Sequence, residues 1–98
     1  MARDQVELSV GTTWTELTNA DADVVTFQAL DADIFIRVTT DGTQPYKGLK
    51  GRLYASGTGQ SNISLSDLAK QLGTTGKRVW ARAAEGTNAA VYIDHADA

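Results

Sequence analysis

Hydrophobic and polar residues alternate along most of the chain. In the segment 6–10, Val6, Leu8 and Val10 are each separated by one polar residue, and a shorter segment at 14–18 repeats the alternation. A period of two residues is typical of β-strands that bury one face. The pattern therefore predicts β-structure as the dominant element.

Two pairs of alternating segments are separated by short polar stretches. The first pair runs from 23 to 40 around the turn at 31–33, and the second joins 77–84 to 89–94 around 85–88. Asp, Asn and Gly tolerate the backbone conformations of tight turns. The sequence therefore predicts two β-hairpins.

The middle of the chain is less regular. A strand is predicted at 49–55, where Gly51 indicates a bulge or an edge position. The Gly-rich stretch 57–62 is predicted to be a loop. A short helix is predicted at 66–73, because Ser64 or Ser66 can cap its first amides and Gly73 can end it.

Together these elements predict an all-β domain that spans residues 1–98. About seven short antiparallel strands and one helical segment favour a small β-sandwich or a jelly-roll-like barrel. The chain has no cysteine, so a disulfide cannot support so small a core, and self-association is the expected additional source of stability. No signal peptide or long apolar run is present, which predicts synthesis in the cytoplasm and no membrane partner.

Charge is unevenly distributed although the net charge is only −3. Residues 1–36 contain seven acids and one base, residues 37–82 contain eight bases and two acids, and the remainder adds three acids. Interleaved strands would mix these charges on one surface. Alternatively, the molecule would present two faces of opposite sign, suited to packing against copies of itself or a charged scaffold.

Residues that carry chemistry are sparse. The carboxylate pairs at 21–23 and 31–33 lack the glycine and distal glutamate of a calcium loop, and Asp is common in turns. His95 lies close to the end of the chain, where a rigid catalytic triad is not expected. We therefore predict no enzymatic activity, no metal site and no cofactor.

The aromatic residues are better candidates for a binding surface, because Trp and Tyr are enriched at interfaces and at sugar sites. Trp80 must point away from the face shared by Val79 and Ala81. It would be exposed as a ligand platform, covered by a second sheet or buried between subunits. The overall acidity disfavours nucleic acid. The predicted interface residues are Trp80, Lys77, Arg78, Arg82 and Trp14, with Tyr46, Tyr54 and Tyr92 as further aromatic candidates.

Several short segments resemble the small virion-associated β proteins of tailed phages. They are WTELT at 14–18, VTFQ at 25–28, PYKGL at 45–49, VWARAAEG at 79–86 and AVYI at 90–93. The resemblance implies a β-sandwich or jelly-roll unit that forms homotrimers, decorates the head or builds short fibres, and has no catalytic residues. The implied partners are further copies of the chain and the major capsid protein or another virion protein, with the virion as the final location.

The most specific expectation is therefore a head decoration or cement protein. Such a protein adds contacts that exist only in the assembled shell and stabilises the shell by mass action. The alternative is a carbohydrate-binding β-sandwich module, such as part of a phage fibre, in which Trp14 or Trp80 stacks on a pyranose ring.

Overall fold

A computed structural model describes residues 3–45, 51–84, 86 and 88–97. Within these residues the chain forms eight strands and one helix. Their bounds are β1 (Val6–Val10), β2 (Thr15–Glu16), β3 (Ala22–Ala29), β4 (Ile34–Thr39), β5 (Arg52–Tyr54), β6 (Gly59–Ser64), α1 (Leu65–Gln71), β7 (Arg78–Ala83) and β8 (Ala89–Asp97). The predicted all-β fold is confirmed.

The strands form two antiparallel sheets of four. Sheet 1 has the order β1-β8-β3-β6, and sheet 2 has the order β2-β7-β4-β5. The pairs β1–β8, β2–β7, β3–β6 and β4–β5 are nested, as in one long hairpin ribbon of eight strands. The further pairs β8–β3 and β7–β4 wrap this ribbon into two sheets. This arrangement is a jelly roll, one of the two architectures predicted from the sequence.

Both predicted hairpins are wrong, although their strands are correctly placed. β3 lies in sheet 1 and β4 in sheet 2, and β7 and β8 are likewise in different sheets. Each connection therefore crosses the sandwich. Alternation specifies which face of a strand is buried, but a strand with one apolar face can pack beside its neighbour or across the core from it.

The stretch 57–62 was predicted to be a loop, but β6 begins at Gly59 and pairs with the edge of β3. Its only apolar side chain is Ile63, so it carries almost no hydrophobic pattern. A glycine is needed at its start, because a β-carbon on Gly59 would collide with the carbonyl oxygen of Phe27. Of the predicted strand 49–55, β5 covers only Arg52–Tyr54, and residues 49–50 lie outside the described residues.

The predicted helix is confirmed, although α1 starts one residue earlier and ends two residues earlier than predicted. The Ser64 side chain accepts a hydrogen bond from the Asp67 backbone N–H, which caps the first turn. Gly73 follows the helix with φ +72°, a conformation that favours glycine. Leu65 and Leu68 are buried and anchor the helix to the core. None of the described helices is long and apolar enough to cross a membrane.

The core lies between the inner faces of the two sheets. Phe27 from sheet 1 meets Tyr54 from sheet 2 edge to face, with ring centroids 5.0 Å apart. Aliphatic residues from both sheets fill the remaining space, among them Val10, Val25, Ile34, Ile36, Val79, Val91 and Ile93. The outer faces of the two sheets lie outside this core.

Candidate functional site

The two tryptophans predicted as interface residues are buried outside the main core. Trp80 lies opposite Arg37 and Glu16 in the strand register, on the outer face of sheet 2, as the alternation predicts. It is only 5% exposed, and Trp14 is 1% exposed. Neither belongs to the cluster of residues between the sheets. Sheet 2 thus carries a second, smaller buried layer on its outer side.

The segment 40–45 supplies the cover for this layer. Thr39 Oγ1 accepts a hydrogen bond of 2.8 Å from Trp80 Nε1. Farther along, Gly42 lies beside the Arg78 guanidinium, and Gln44 Nε2 donates to the Trp14 carbonyl at 2.6 Å. A segment that leaves β4 and reaches Trp14 must cross β7, the strand that carries Trp80.

The position of Trp80 beneath this segment differs from all three positions that the sequence suggested for it. Trp80 is neither an exposed platform nor covered by the second sheet, and the burial occurs within a single chain without another subunit. Stacking of a pyranose on Trp14 or Trp80 needs an open ring face, which neither residue offers. The carbohydrate-binding alternative in that form is therefore wrong.

Arg82 lies on the same outer face and is held between two aromatic rings. Its guanidinium carbon is 4.8 Å from the centre of the Phe35 ring and 5.3 Å from that of Trp14. Phe35 is paired across the strands with Leu53, which is 52% exposed. Leu53, Phe35 and Arg82 form one row across sheet 2, which we call the Arg82 row. Sequence reasoning found Arg82 but missed Leu53, because the short β5 gives no clear alternation.

Arg78 and Lys77 are engaged in ion pairs. Arg78 Nη1 lies 2.9 Å from Glu16 Oε2, and its Nε lies 2.9 Å from Asp21 Oδ1. Hydrogen bonds to Asp21 and then to Glu16 raise the pKa of Arg78 above its ordinary value. Lys77 Nζ lies 3.2 Å from Asp23 Oδ1.

The acidic first part of the sequence thus meets the basic middle part around Arg78, as expected if interleaved strands mix the charges. Arg82 differs from these two cations, because no carboxylate of the described residues forms an ion pair with it. Of the three predicted interface cations, it is therefore the one without an ion pair among the described residues.

The outer face of sheet 1 carries a shallow groove of about 330 Å³. Outward-facing side chains of β3 and β8 line it, namely Thr26, Gln28 and Tyr92, together with Ser61 of β6 and the two glycines Gly57 and Gly59. Sequence reasoning named Tyr92 only as an aromatic residue. Its position between Val91 and Ile93 places it on the outer face by the alternation already applied to Trp80.

The residues considered for catalysis or metal binding have structural partners. His95 is buried, and its Nε2 accepts a hydrogen bond from the Arg3 backbone N–H. Asp31 Oδ1 accepts from the Ala90 N–H, and Asp33 Oδ1 accepts from the Ser56 N–H, both at 2.8 Å. The described residues contain no group of three or more His, Asp or Glu side chains placed to hold a metal ion.

Comparisons with known proteins gave no match. No protein-family model, no curated protein and no solved structure matches the chain significantly. The fold assignment therefore depends on the strand order, and a functional interpretation depends on the two outer faces.

Proposed function

We propose that the protein is a structural protein of a phage virion, a decoration or cement protein that docks on the assembled head through the outer face of sheet 2. The observation that supports the proposal most directly is the Arg82 row, in which an exposed Leu53 adjoins a ring-stacked arginine. Jelly rolls are common in viral capsid and lectin domains, but a fold alone does not specify a function.

The Arg82 row has the chemistry of a protein interface. Arginine and aromatic residues dominate the binding energy of many interfaces, and an exposed leucine adds apolar area. The Arg82 guanidinium stacks on the Trp14 and Phe35 rings, which restricts the side chain before a partner arrives and lowers the entropy lost on binding. The matching surface on the shell would present carboxylates to Arg82 and an apolar depression to Leu53.

Assembly as a homotrimer is part of the proposal and follows from the family resemblance. Three linked copies would each present an Arg82 row to the shell, so one trimer would bind more tightly than its separate subunits. Contacts that form only on the completed head would stabilise the head by mass action, without any chemical step.

The test uses purified heads of the parent phage that lack this protein. We expect wild-type protein to co-sediment with these heads and to raise their thermal stability. Arg82→Gln and Leu53→Ser should each weaken head binding by about tenfold or more, since interface anchors contribute 1–2 kcal/mol or more. Lys77→Gln is the matched control, because this exposed cation already has Asp23 as a partner.

Thermal unfolding of each variant shows whether it is folded before binding is compared. Light scattering of the wild type in solution and on heads tests the trimer. Equal binding of all three folded variants, or no binding of the wild type to heads, would overturn the proposed docking surface.

A further inference from the structure

We propose that the groove on the outer face of sheet 1, which we call the Tyr92 groove, binds a neutral carbohydrate. This inference goes beyond the proposed function and does not depend on it. The groove is open to solvent on the opposite side of the sandwich from the Arg82 row. Docking through sheet 2 would therefore leave it accessible.

A β-bulge shapes the groove. β6 pairs regularly with β3 at Gln60 and again at Ile63, so Ser61 and Asn62 together oppose the single residue Thr26. Asn62 has φ +53°, and its backbone N–H donates to Thr26 Oγ1 at 2.8 Å. Bulges often redirect side chains beside binding sites. Here the bulge fixes the Thr26 hydroxyl as an acceptor. No described residue accepts its proton, which is therefore offered to a ligand.

Gln28 supplies a complementary acceptor. Its side-chain Nε2 donates to the Gly57 carbonyl oxygen at 3.1 Å, which holds the amide at the rim of the groove. The Oε1 of the same amide accepts no hydrogen bond from the described residues. Sugar hydroxyls both donate and accept, so a fixed amide oxygen beside fixed hydroxyl groups matches them.

Tyr92 provides the apolar part of the site. It is paired directly with Gln28 in the strand register and is partly exposed. An aromatic ring with a polar hydroxyl can contact the C–H face of a sugar ring and still bond to its hydroxyls. Such a combination of one aromatic ring with a few convergent polar groups is typical of a small-molecule site.

Charge at the rim selects the class of carbohydrate. None of the side chains that line the groove is charged. Glu7 lies opposite Tyr92 on β1, and Asp94 is the next outward residue along β8. These carboxylates would repel uronic or sialic acids, so the groove should favour neutral sugars.

The test is a screen of wild-type protein against immobilised neutral and anionic oligosaccharides, followed by NMR titration with the neutral oligosaccharides that bind. Tyr92→Ala should weaken binding by about tenfold or more, the change that corresponds to losing one well-packed contact. Gln28→Ala should weaken it less. Leu53→Ser is the control on the opposite face and should bind as wild type, with thermal unfolding used to confirm that each variant is folded.

Shifts of the Thr26, Gln28 and Tyr92 amide signals would place the sugar in the groove. The inference is overturned if the wild type binds no neutral oligosaccharide, if it prefers anionic ones, or if folded Tyr92→Ala binds like wild type. Failure to bind phage heads would leave these outcomes unchanged, so the two proposals are distinguished.

Discussion

The imidazole Nε2 of His95 accepts a hydrogen bond of 3.1 Å from the backbone N–H of Arg3. The backbone N–H of His95 in turn donates to the Arg3 carbonyl oxygen at 3.0 Å, so the chain before β1 is attached to the last strand. An accepting Nε2 requires the proton on Nδ1, which faces Asp97 Oδ1 at 3.1 Å. The bond with Arg3 exists only while the ring is neutral.

Acidification should therefore weaken the fold as the pH falls below about 6.5, the ordinary pKa of histidine. Burial lowers the pKa of His95, an effect that exceeds the attraction of Asp97 and Asp94 and is reinforced by the Arg3 charge. Below about pH 6.5 the unfolded chain takes up a proton that the folded chain does not, so the free energy of unfolding falls as pH falls, by at most about 1.4 kcal/mol per pH unit. Urea unfolding at several pH values measures this slope.

His95→Gln is the control for that titration, because glutamine does not ionise and can still offer an oxygen to the Arg3 N–H. Its stability should be flat over the same pH range. A wild-type curve that is flat as well would contradict the prediction.

The ion pairs of β7 should differ in strength according to their exposure. The Arg78 and Glu16 side chains are mostly covered, whereas Lys77 and Asp23 are more than half exposed. A double-mutant cycle with Arg78→Met and Glu16→Gln should give a coupling of about 1 kcal/mol, and the cycle with Lys77→Met and Asp23→Asn should give a value near zero. Equal couplings would indicate that covering by the segment 40–45 has no effect on this site.

Removal of the Trp80 ring should destabilise the single chain. Trp80→Ala would empty the layer beneath the segment 40–45 and should lower the free energy of unfolding by about 3 kcal/mol. Thr39→Val, which removes the acceptor of Trp80 Nε1, should cost about 1 kcal/mol. Denaturant unfolding gives both values, and light scattering separates them from changes in association. Dissociation of subunits with an unchanged monomer fold would be evidence for a Trp80 interface instead.

The carboxylates of Asp31 and Asp33 should act as hydrogen-bond acceptors for loop amides. Asp31→Ala should lower stability by about 1 kcal/mol, whereas Asp31→Asn, which keeps an oxygen for the Ala90 N–H, should be close to wild type. Calcium or a chelator should leave the melting temperature of the wild type unchanged. A rise in that temperature with calcium would assign a metal to these carboxylates.

The positions of most strands could be predicted because burial of one face leaves a period-two pattern. Val25 and Phe27 of β3, and Ile34 and Ile36 of β4, are all buried as the alternation indicates. The pairing of these strands could not be predicted, since inward-facing residues have the same pattern whether the next strand is adjacent or across the core. β6 was missed because its edge position and bulge leave polar residues exposed.

The binding surfaces were harder to predict than the fold. The orientation of Trp80 follows from its neighbours, but its cover comes from the segment 40–45, whose path over β7 has no local signature in the sequence. Arg82 was identified by its charge. Arg82 has no ion pair among the described residues, whereas acids of the first 36 residues pair with Arg78 and Lys77. The strand order decides which acids lie beside which cations, and the sequence does not reveal that order.

The nested strand order also constrains how quickly the chain folds. Among the strands that the structure describes, β4 and β5 are the only paired ones that follow one another in sequence, whereas Val6 of β1 pairs with Ile93 of β8. Closing a large loop costs more chain entropy than closing a small one, so pairing outward from β4–β5 keeps each successive closure short. A topology dominated by distant pairings folds in about milliseconds to seconds, and stopped-flow refolding should place this protein at the slow end of domains of its size.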